Sequence, residues 1–237
     1  MRLAVLRVGS DLPPAERNQQ ALDPAVQLSA ADAAGVDAAL GELAGHRLVI
    51  DAADPAALNL ALTRLNRAGM LAELETAVLM PRRAGYLTAL GLPASRDAQL
   101  AVARSAPARL VGVLKDDSGG VCADSAVLTP WHPGDAWWVR AVVDDQRLCD
   151  GTAQALTVRR IGPQELEATV RLGRLRRRTC RGRSLQLACD EAQITADGVG
   201  RERPRRKRIF WSEPLLWRLA LPAEDPSRER AQEPTGA

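Results

Sequence analysis

The spacing of apolar residues changes near Lys115, about halfway along the chain. Before this point, short apolar runs of strand type alternate with stretches in which apolar residues recur every three or four positions, as on one face of a helix. After it, only short strand-like runs occur, separated by turn-rich joints at intervals of roughly ten residues. The sequence therefore predicts an α/β half followed by an all-β half.

Strands and helices alternate in the predicted first half. The predicted strands are 2–8, 46–51, 76–80 and 109–114. The predicted helices are one capped by Asp32, one capped by Asp54 with Pro55 at its first position, one at 86–90, and one capped by Ser95 that runs through Ala103. This alternation is typical of a parallel sheet with helices on its faces.

The predicted second half opens with a turn at 116–120. Its predicted strands are 121–128, 137–143, 155–161, 165–172, 183–189, 193–196, 207–211 and 215–221. The pair Asp197-Gly198 predicts a two-residue hairpin turn, because both residues tolerate a positive φ. Many short strands joined by turns predict an antiparallel β-sandwich.

These patterns divide the chain into three segments. Residues 1–114 are expected to form an α/β domain of nucleotide-binding type, and residues 115–222 a β-sandwich domain. Residues 223–237 are polar, contain proline and have little to bury, so a disordered tail is expected. With 46% hydrophobic residues, the chain has enough apolar material for a sizeable core.

Composition argues against several classes of protein. No stretch approaches the ~18 continuous apolar residues of a membrane span, and the N-terminal apolar run is too short for a secretory signal, so a cytoplasmic location is expected. The four cysteines are far apart and only two histidines occur, which disfavours a zinc site or a disulfide framework, and no metal ligands are assigned. Neither a dinucleotide-binding glycine motif nor a P-loop is present.

Three short segments resemble motifs of the diacylglycerol kinase catalytic family, which is related to the sphingosine and NAD kinases. Residues 52–59, AADPAALN, are similar to the family's G-G-D-G-T loop and the helix after it. Residues 81–93 follow the frame of its P-x-G-T-G-N-D motif, which leads to a closing L-G-[LIV]-P. The turn Asp197-Gly198-Val199 resembles the D-G-E hairpin of its β domain.

The resemblance implies an NAD kinase or diacylglycerol kinase type of fold, with a cleft between the α/β and β-sandwich domains. It implies that Asp197 is the general base, which would accept the proton of the substrate hydroxyl. It also implies that Asp54, Asn59 and Gly85 belong to a nucleotide-binding set. Arg82 and Arg83 complete this set as fixed positive charges that would face the phosphates in place of the lost loop. In active relatives the cleft holds ATP and Mg²⁺, and a lipid or another hydroxyl receives the phosphoryl group.

The three segments differ from the family motifs at positions that matter for phosphate binding and transfer. Proline has no N–H to offer a phosphate, and alanine resists the positive φ that glycine allows, so Pro55 and Ala56 remove much of the phosphate loop. Val199 replaces the glutamate of the hairpin motif. These changes leave activity open, between a weakened phosphotransferase and a non-catalytic ligand binder. Asp54 as an ordinary helix cap and Asp197 as an ordinary turn residue are the structural alternatives.

Arginine is concentrated in the second half. Residues 126–237 hold 20 basic and 15 acidic residues, against 12 and 14 in residues 1–125. The candidate anion-binding residues are Arg176, Arg177, Arg178, Arg181, Arg205 and Arg206.

Two explanations fit these arginines. They form a solvated strand face, or they form a docking surface of a structural or interaction protein. Its partner would be nucleotide phosphates, or an anionic lipid or membrane surface, and the latter implies peripheral membrane attachment. Nucleic acid is the weaker candidate because aromatic stacking residues are scarce. The tryptophans in predicted strands are assigned to the core, with a membrane or homodimer face as the alternative.

Overall fold

The computed structural model describes residues 2–9, 22, 26–41, 43, 45–81, 84–134, 136–200 and 203–223. The described residues of its first part include four parallel strands in the order β4-β3-β1-β2 and four helices with described bounds. The strands are β1 (Arg2–Val8), β2 (Val26–Ala30), β3 (His46–Ala52) and β4 (Thr76–Leu79). The helices are α1 (Ala33–Leu40), α2 (Pro55–Arg67), α3 (Ala84–Ala89) and α4 (Arg96–Ser105).

Strands β1, β3 and β4 are buried on both faces, as is usual in a parallel sheet covered by helices, whereas β2 at the end of the strand order is only partly buried. Alternate residues of β1 enter different clusters: Leu6 packs with Ile50 on one face, whereas Val5 packs with Val49 on the other. On α2, Leu58, Ala61, Leu62 and Leu65 form a continuous apolar stripe against the first of these faces. The predicted α/β architecture is confirmed.

Eleven strands are described from Ala108 onward. They are β5 (Ala108–Asp116), β6 (Val121–Cys122), β7 (Ser125–Pro130), β8 (Trp137–Val143), β9 (Gln146–Ala153), β10 (Ala155–Arg160), β11 (Leu166–Arg171), β12 (Arg177–Gly182), β13 (Ser184–Ala196), β14 (Val199–Gly200) and β15 (Arg205–Ala220). The pairs among them are antiparallel.

Strand β13 belongs to two groups of strands. Its first half pairs with β8 and β15, and its second half pairs with β7, which leads on to β10, β11 and β12. Alternate residues of both groups, including Leu128, Val139 and Val158, meet in one apolar cluster. The all-β second half, packed as predicted around inward-facing alternate residues, is confirmed.

Strand β15 joins the two parts of the chain. It pairs with β13 and β5 on the antiparallel side, and its Leu219 pairs with Thr76 of the parallel strand β4. At this junction the buried indole of Trp217 donates a 2.7 Å hydrogen bond from Nε1 to Thr76 Oγ1, which itself donates to the carbonyl oxygen of Arg218 at 3.0 Å. One sheet therefore runs through both parts.

Several predicted strands differ from those observed. The strand predicted at 109–114 was expected to complete the parallel pattern, but β5 is antiparallel to β15 and β6. Two pairs of predicted strands are continuous: 183–189 with 193–196 in β13, and 207–211 with 215–221 in β15. A shift in strand register within each of them hides the continuity in the sequence. Strands β2, β9, β12 and β14 were not predicted.

The predicted domain boundary after Leu114 falls inside β5, and the division into two domains stays a prediction. The predicted disordered tail lies outside the described residues from position 224 onward. No helix in the described part of the chain is long and apolar enough to cross a membrane.

Replacing Thr76 with valine should destabilise the junction between the two parts. Valine keeps the shape but leaves the Trp217 N–H and the Arg218 carbonyl without their partner, which we expect to lower the free energy of unfolding by about 2–4 kcal/mol. Thr76→Ser, the matched control, keeps the hydroxyl and should lose less than about 1.5 kcal/mol. Urea denaturation followed by tryptophan fluorescence measures both values, and equal losses would contradict the assigned role of the hydroxyl.

Candidate functional site

A cleft of about 380 Å³ opens where α2, α3 and two β turns meet. The β6–β7 connection lies on one side and the β13–β14 turn closes another. The residues that line it are Asp54, Pro55, Ala56, Tyr86, Asp124, Ser125, Asp197 and Gly198. Two residues predicted from distant parts of the sequence, Asp54 and Asp197, thus lie at the same cleft.

Asp54 caps the helix that points into the cleft. Its backbone is extended, and its side chain accepts a hydrogen bond from the Ala57 N–H at 2.8 Å, while Pro55 occupies the first helical position. The predicted cap at Asp54 is confirmed, and it follows from local sequence because aspartate followed by proline is a strong start signal for a helix. Because the Ala57 N–H is bound to Asp54, it is not free to donate to a ligand in the cleft.

Asp197 occupies the first position of the hairpin turn between β13 and β14. Asp197 and Gly198 have φ angles of 46° and 86°, as a two-residue turn of this kind requires, so the predicted hairpin is confirmed. The Asp197 carboxylate turns inward, and its residue is only 6% exposed.

Four N–H groups surround the Asp197 carboxylate. Oδ1 accepts from the backbone of Asp124 at 3.0 Å and of Ser125 at 3.1 Å. Oδ2 accepts from the backbone of Ala123 at 2.6 Å and from Asn59 Nδ2 at 3.2 Å. The carboxylate therefore ties the hairpin to α2 and to the β6–β7 connection.

Opposing effects act on the pKa of Asp197. Burial raises the pKa above its ordinary value, whereas the hydrogen bonds from Ala123, Ser125 and Asn59 lower it, and the net direction is upward. A raised pKa suits a general base, but a base also needs a lone pair within reach of the substrate hydroxyl. Four donors already occupy the two oxygens.

Asn59 is a buried residue of α2 that contacts Asp197. It is 3% exposed, and its side-chain amide donates to the Val121 carbonyl at 2.6 Å as well as to Asp197. These contacts attach α2 to the start of the β region. Asn59 thus positions Asp197, and its predicted role in nucleotide binding stays a prediction.

Tyr86 is a cleft residue that sequence reasoning missed. Its hydroxyl is buried and has no hydrogen-bond partner among the described residues. Burial raises the pKa of the Tyr86 phenol, and the neighbouring groups Asp197, Cys122 and Asp124 raise it further. One signal was available, since Tyr86 is the only tyrosine in the chain and follows Gly85 of the second motif.

Asp124 and Ser125 were also missed. The Ser125 hydroxyl donates to Asp124 at 3.1 Å, and Asp124 forms a 3.7 Å ion pair with Arg159. Their backbone N–H groups both point to Asp197. No sequence motif marks them, because they reach the cleft only through the pairing of β7 with β13.

No protein-family model matches the chain, and no curated protein matches it in sequence. Solved structures do match. A diacylglycerol kinase from Bacillus anthracis str. Sterne aligns with a TM-score of 0.73 at 10% identity, over 96% of this chain and 98% of that one. An NAD kinase from Archaeoglobus fulgidus in complex with ATP aligns with a TM-score of 0.65 at 12% identity, over 98% and 97%. This chain has the diacylglycerol kinase and NAD kinase fold.

A third structure with this kinase fold, yeast NADH kinase complexed with NADH, aligns with a TM-score of 0.58 at 10% identity, over 95% of this chain and 84% of that one. The fold implied by the sequence motifs is therefore confirmed. At these identities the likeness establishes architecture, and the chemistry depends on the residues of this chain.

The residues at the α2 N-terminus do not fit the triphosphate of ATP. A phosphate site at a helix start needs several N–H groups free to point at the anion. Here Pro55 has none, and the Ala57 N–H is bound by Asp54. The facing side chains Asp54, Asp124 and Asp197 are acidic, and within the described ranges no group of three or more metal-ligating side chains is placed to hold a cation such as Mg²⁺.

Of the other predicted nucleotide-binding residues, Gly85 is described and is not among the residues that line the cleft. Gly85 is exposed on α3, and a Cβ added there would meet no atom within 4 Å, so this position has no need of glycine for space. Arg82 and Arg83 lie outside the described residues.

The predicted anion-binding arginines are all exposed and lie on two strands. Arg177, Arg178 and Arg181 lie on β12, with Arg176 just before it. Arg205 and Arg206 begin β15, which is separated from β12 in the sheet order by β11, β10, β7 and β13. Arg181 pairs with Glu167 at 2.9 Å and Arg206 pairs with Glu191 at 2.8 Å. Their role in binding an anion stays a prediction.

Replacing Asp197 with asparagine should cost about 2–4 kcal/mol in the free energy of unfolding. Asparagine tolerates the same positive φ, but its NH₂ group would face two N–H donors in either orientation. Asp124→Asn is the matched control in the same cleft, and should cost less than about 1 kcal/mol because its ion pair is partly exposed. Urea denaturation of both variants measures the difference. Equal losses would mean that the four donors do not hold the hairpin.

Proposed function

We propose that this protein binds a ligand in the cleft of a kinase fold without transferring a phosphoryl group. The observation that carries the proposal is the saturation of Asp197, the candidate base, by four N–H donors at 2.6–3.2 Å. A substrate hydroxyl would have to displace one of them before it could lose its proton.

The start of α2 supports the same proposal. Phosphoryl transfer depends on positioning and on neutralising the charge of the phosphates. The N–H group missing at Pro55 and the Ala57 N–H bound by Asp54 weaken the positioning, and the acidic lining works against a bare triphosphate. We infer that the cleft holds a ligand without a phosphate site at the start of α2.

We propose an uncharged ligand rich in hydroxyl or amino groups, with a nucleoside as its first example. Carboxylate oxygens of Asp54 and Asp124 accept hydrogen bonds from such groups, and the unpartnered Tyr86 hydroxyl supplies a donor or acceptor. The volume of about 380 Å³ falls within the usual range for small-ligand pockets. ATP and NADH, held by structures with this fold, both contain adenosine.

Calorimetric titration with adenosine and with ATP plus Mg²⁺ tests the ligand. Adenosine should bind, and the triphosphate should add no affinity. Tyr86→Phe removes only the hydroxyl and should raise the Kd for adenosine by about 5-fold. Asp150→Asn on β9, outside the cleft lining, is the control and should leave the Kd unchanged. Tighter binding of ATP with Mg²⁺ than of adenosine would overturn the proposed ligand class.

An assay of phosphoryl transfer tests the absence of chemistry. The protein is incubated with ATP, Mg²⁺ and either diacylglycerol or NAD⁺, and we expect no phosphorylated product. Product formed by the wild-type chain and lost in Asp197→Asn, while Asp150→Asn outside the cleft lining keeps it, would restore Asp197 as the general base.

A further inference from the structure

The hairpin that joins β11 to β12 carries an exposed apolar tip. Its turn is closed by a 2.9 Å hydrogen bond from the Leu172 N–H to the Arg176 carbonyl. Leu175, within this turn, is 93% exposed, more than any other exposed large apolar residue of the described chain. Leu172, three residues earlier, packs against the sandwich core. The turn is therefore anchored at its base and apolar at its end.

Five arginines surround this tip. We call residues 171–178 the arginine hairpin, and its exposed arginines are Arg171, Arg174, Arg176, Arg177 and Arg178. No carboxylate in the described part of the chain forms an ion pair with any of them. By contrast, Arg181 and Arg206, which lie outside the hairpin, are paired with glutamates.

The strand register places two of these arginines opposite each other, which is electrostatically unfavourable when no anion is bound. Arg171 lies directly opposite Arg177 in the antiparallel pair, and like charges in such positions repel each other. Two residues further from the tip on the same face, Thr169 lies opposite Thr179, and their hydroxyl groups form a 2.9 Å hydrogen bond. Two residues beyond this pair, Glu167 lies opposite Arg181. The favourable cross-strand pairs therefore end at Thr169 and Thr179, before the tip begins. An anion bound beside Arg171 and Arg177 would reduce the repulsion between them.

Edge protection explains only part of this feature. Strand β12 pairs with β11 alone among the described strands, and charged residues on an edge strand discourage pairing with other molecules. That role accounts for arginines on β12. It does not account for an exposed leucine at the tip, which favours association.

We propose that the arginine hairpin docks this protein on an anionic membrane surface. Leu175 enters the interface between head groups and acyl chains, and the surrounding arginines contact lipid phosphates. A guanidinium group suits this contact because it donates two hydrogen bonds to one phosphate. An apolar insertion combined with a basic cluster is the two-part signal that peripheral attachment requires. This surface lies on other elements than the cleft, so the proposal does not depend on the ligand there.

The chemistry of the tip favours lipid over nucleic acid. Both partners offer phosphates to arginine, but binding to single-stranded nucleic acid also uses aromatic side chains on which bases stack. Residues 171–178 contain no aromatic residue, and their large apolar residues, Leu172 and Leu175, are aliphatic. We therefore commit to the membrane.

Vesicle co-sedimentation of the full chain tests the proposal. We expect binding to vesicles of phosphatidylcholine and phosphatidylglycerol in equal parts, little binding to phosphatidylcholine alone, and weakening as salt rises. Leu175→Ser, which leaves the charge unchanged, should lower the partition coefficient by about 5- to 10-fold. The triple variant Arg176→Gln, Arg177→Gln, Arg178→Gln should lower it by about 100-fold.

A second triple variant separates the hairpin from net charge. Arg205→Gln, Arg206→Gln, Lys207→Gln removes the same charge from exposed positions at the start of β15, and should lower the partition coefficient by less than about 3-fold. Equal losses in the two triple variants, or an unchanged coefficient in Leu175→Ser, would overturn the proposal. Binding of an RNA oligonucleotide without binding to anionic vesicles would also overturn it. Thermal unfolding checks that the variants stay folded, as substitution of exposed side chains predicts.

Discussion

The carboxylate of Asp197 holds together the parts of the chain that form the cleft. Its donors come from α2, through Asn59, and from the β6–β7 connection, through the backbone of residues 123–125. A buried carboxylate is costly unless its oxygens are satisfied, and here each oxygen accepts two N–H groups. This one group connects the hairpin, the backbone of Asp124 and Ser125, and α2 at the cleft. A residue with this structural duty is poorly placed to exchange protons with a substrate.

The cleft lies in a known fold, and its chemistry depends on the residues of this chain. The fold is that of diacylglycerol and NAD kinases, and α2 points its first turn at the cleft. Pro55 and the Asp54 cap stabilise that turn, but they do so at the positions where a phosphate would need free N–H groups. The unpartnered Tyr86 hydroxyl and the acidic lining favour a ligand that donates hydrogen bonds. At the start of α2, the residues that stabilise the helix therefore leave fewer free backbone N–H groups for a phosphate.

Sequence patterns predicted the elements that depend on near neighbours, and failed where pairing partners are distant. The caps at Asp32, Asp54 and Ser95 and the turn at Asp197-Gly198 are all observed, because each requires only residues a few positions away. The direction of β5 was wrong, since a strand's partners are chosen in three dimensions and β5 pairs with β15 near the other end of the chain. Asp124 was missed for the same reason, because no local motif marks it as a cleft residue. Tyr86 was missed although it lies within the second motif segment, residues 81–93.

The sequence by itself determined the α/β-then-β order, the start of α2 and the hairpin at Asp197, because periodicity and turn chemistry are local properties of the chain. It also located the excess of arginine. Only the tertiary structure decided that Asp197 turns inward to four donors and that Arg206 is paired while the hairpin arginines face solvent. These outcomes depend on which distant groups lie within hydrogen-bonding distance of a side chain. That is set by the packing of the sheets, and no motif of neighbouring residues records it.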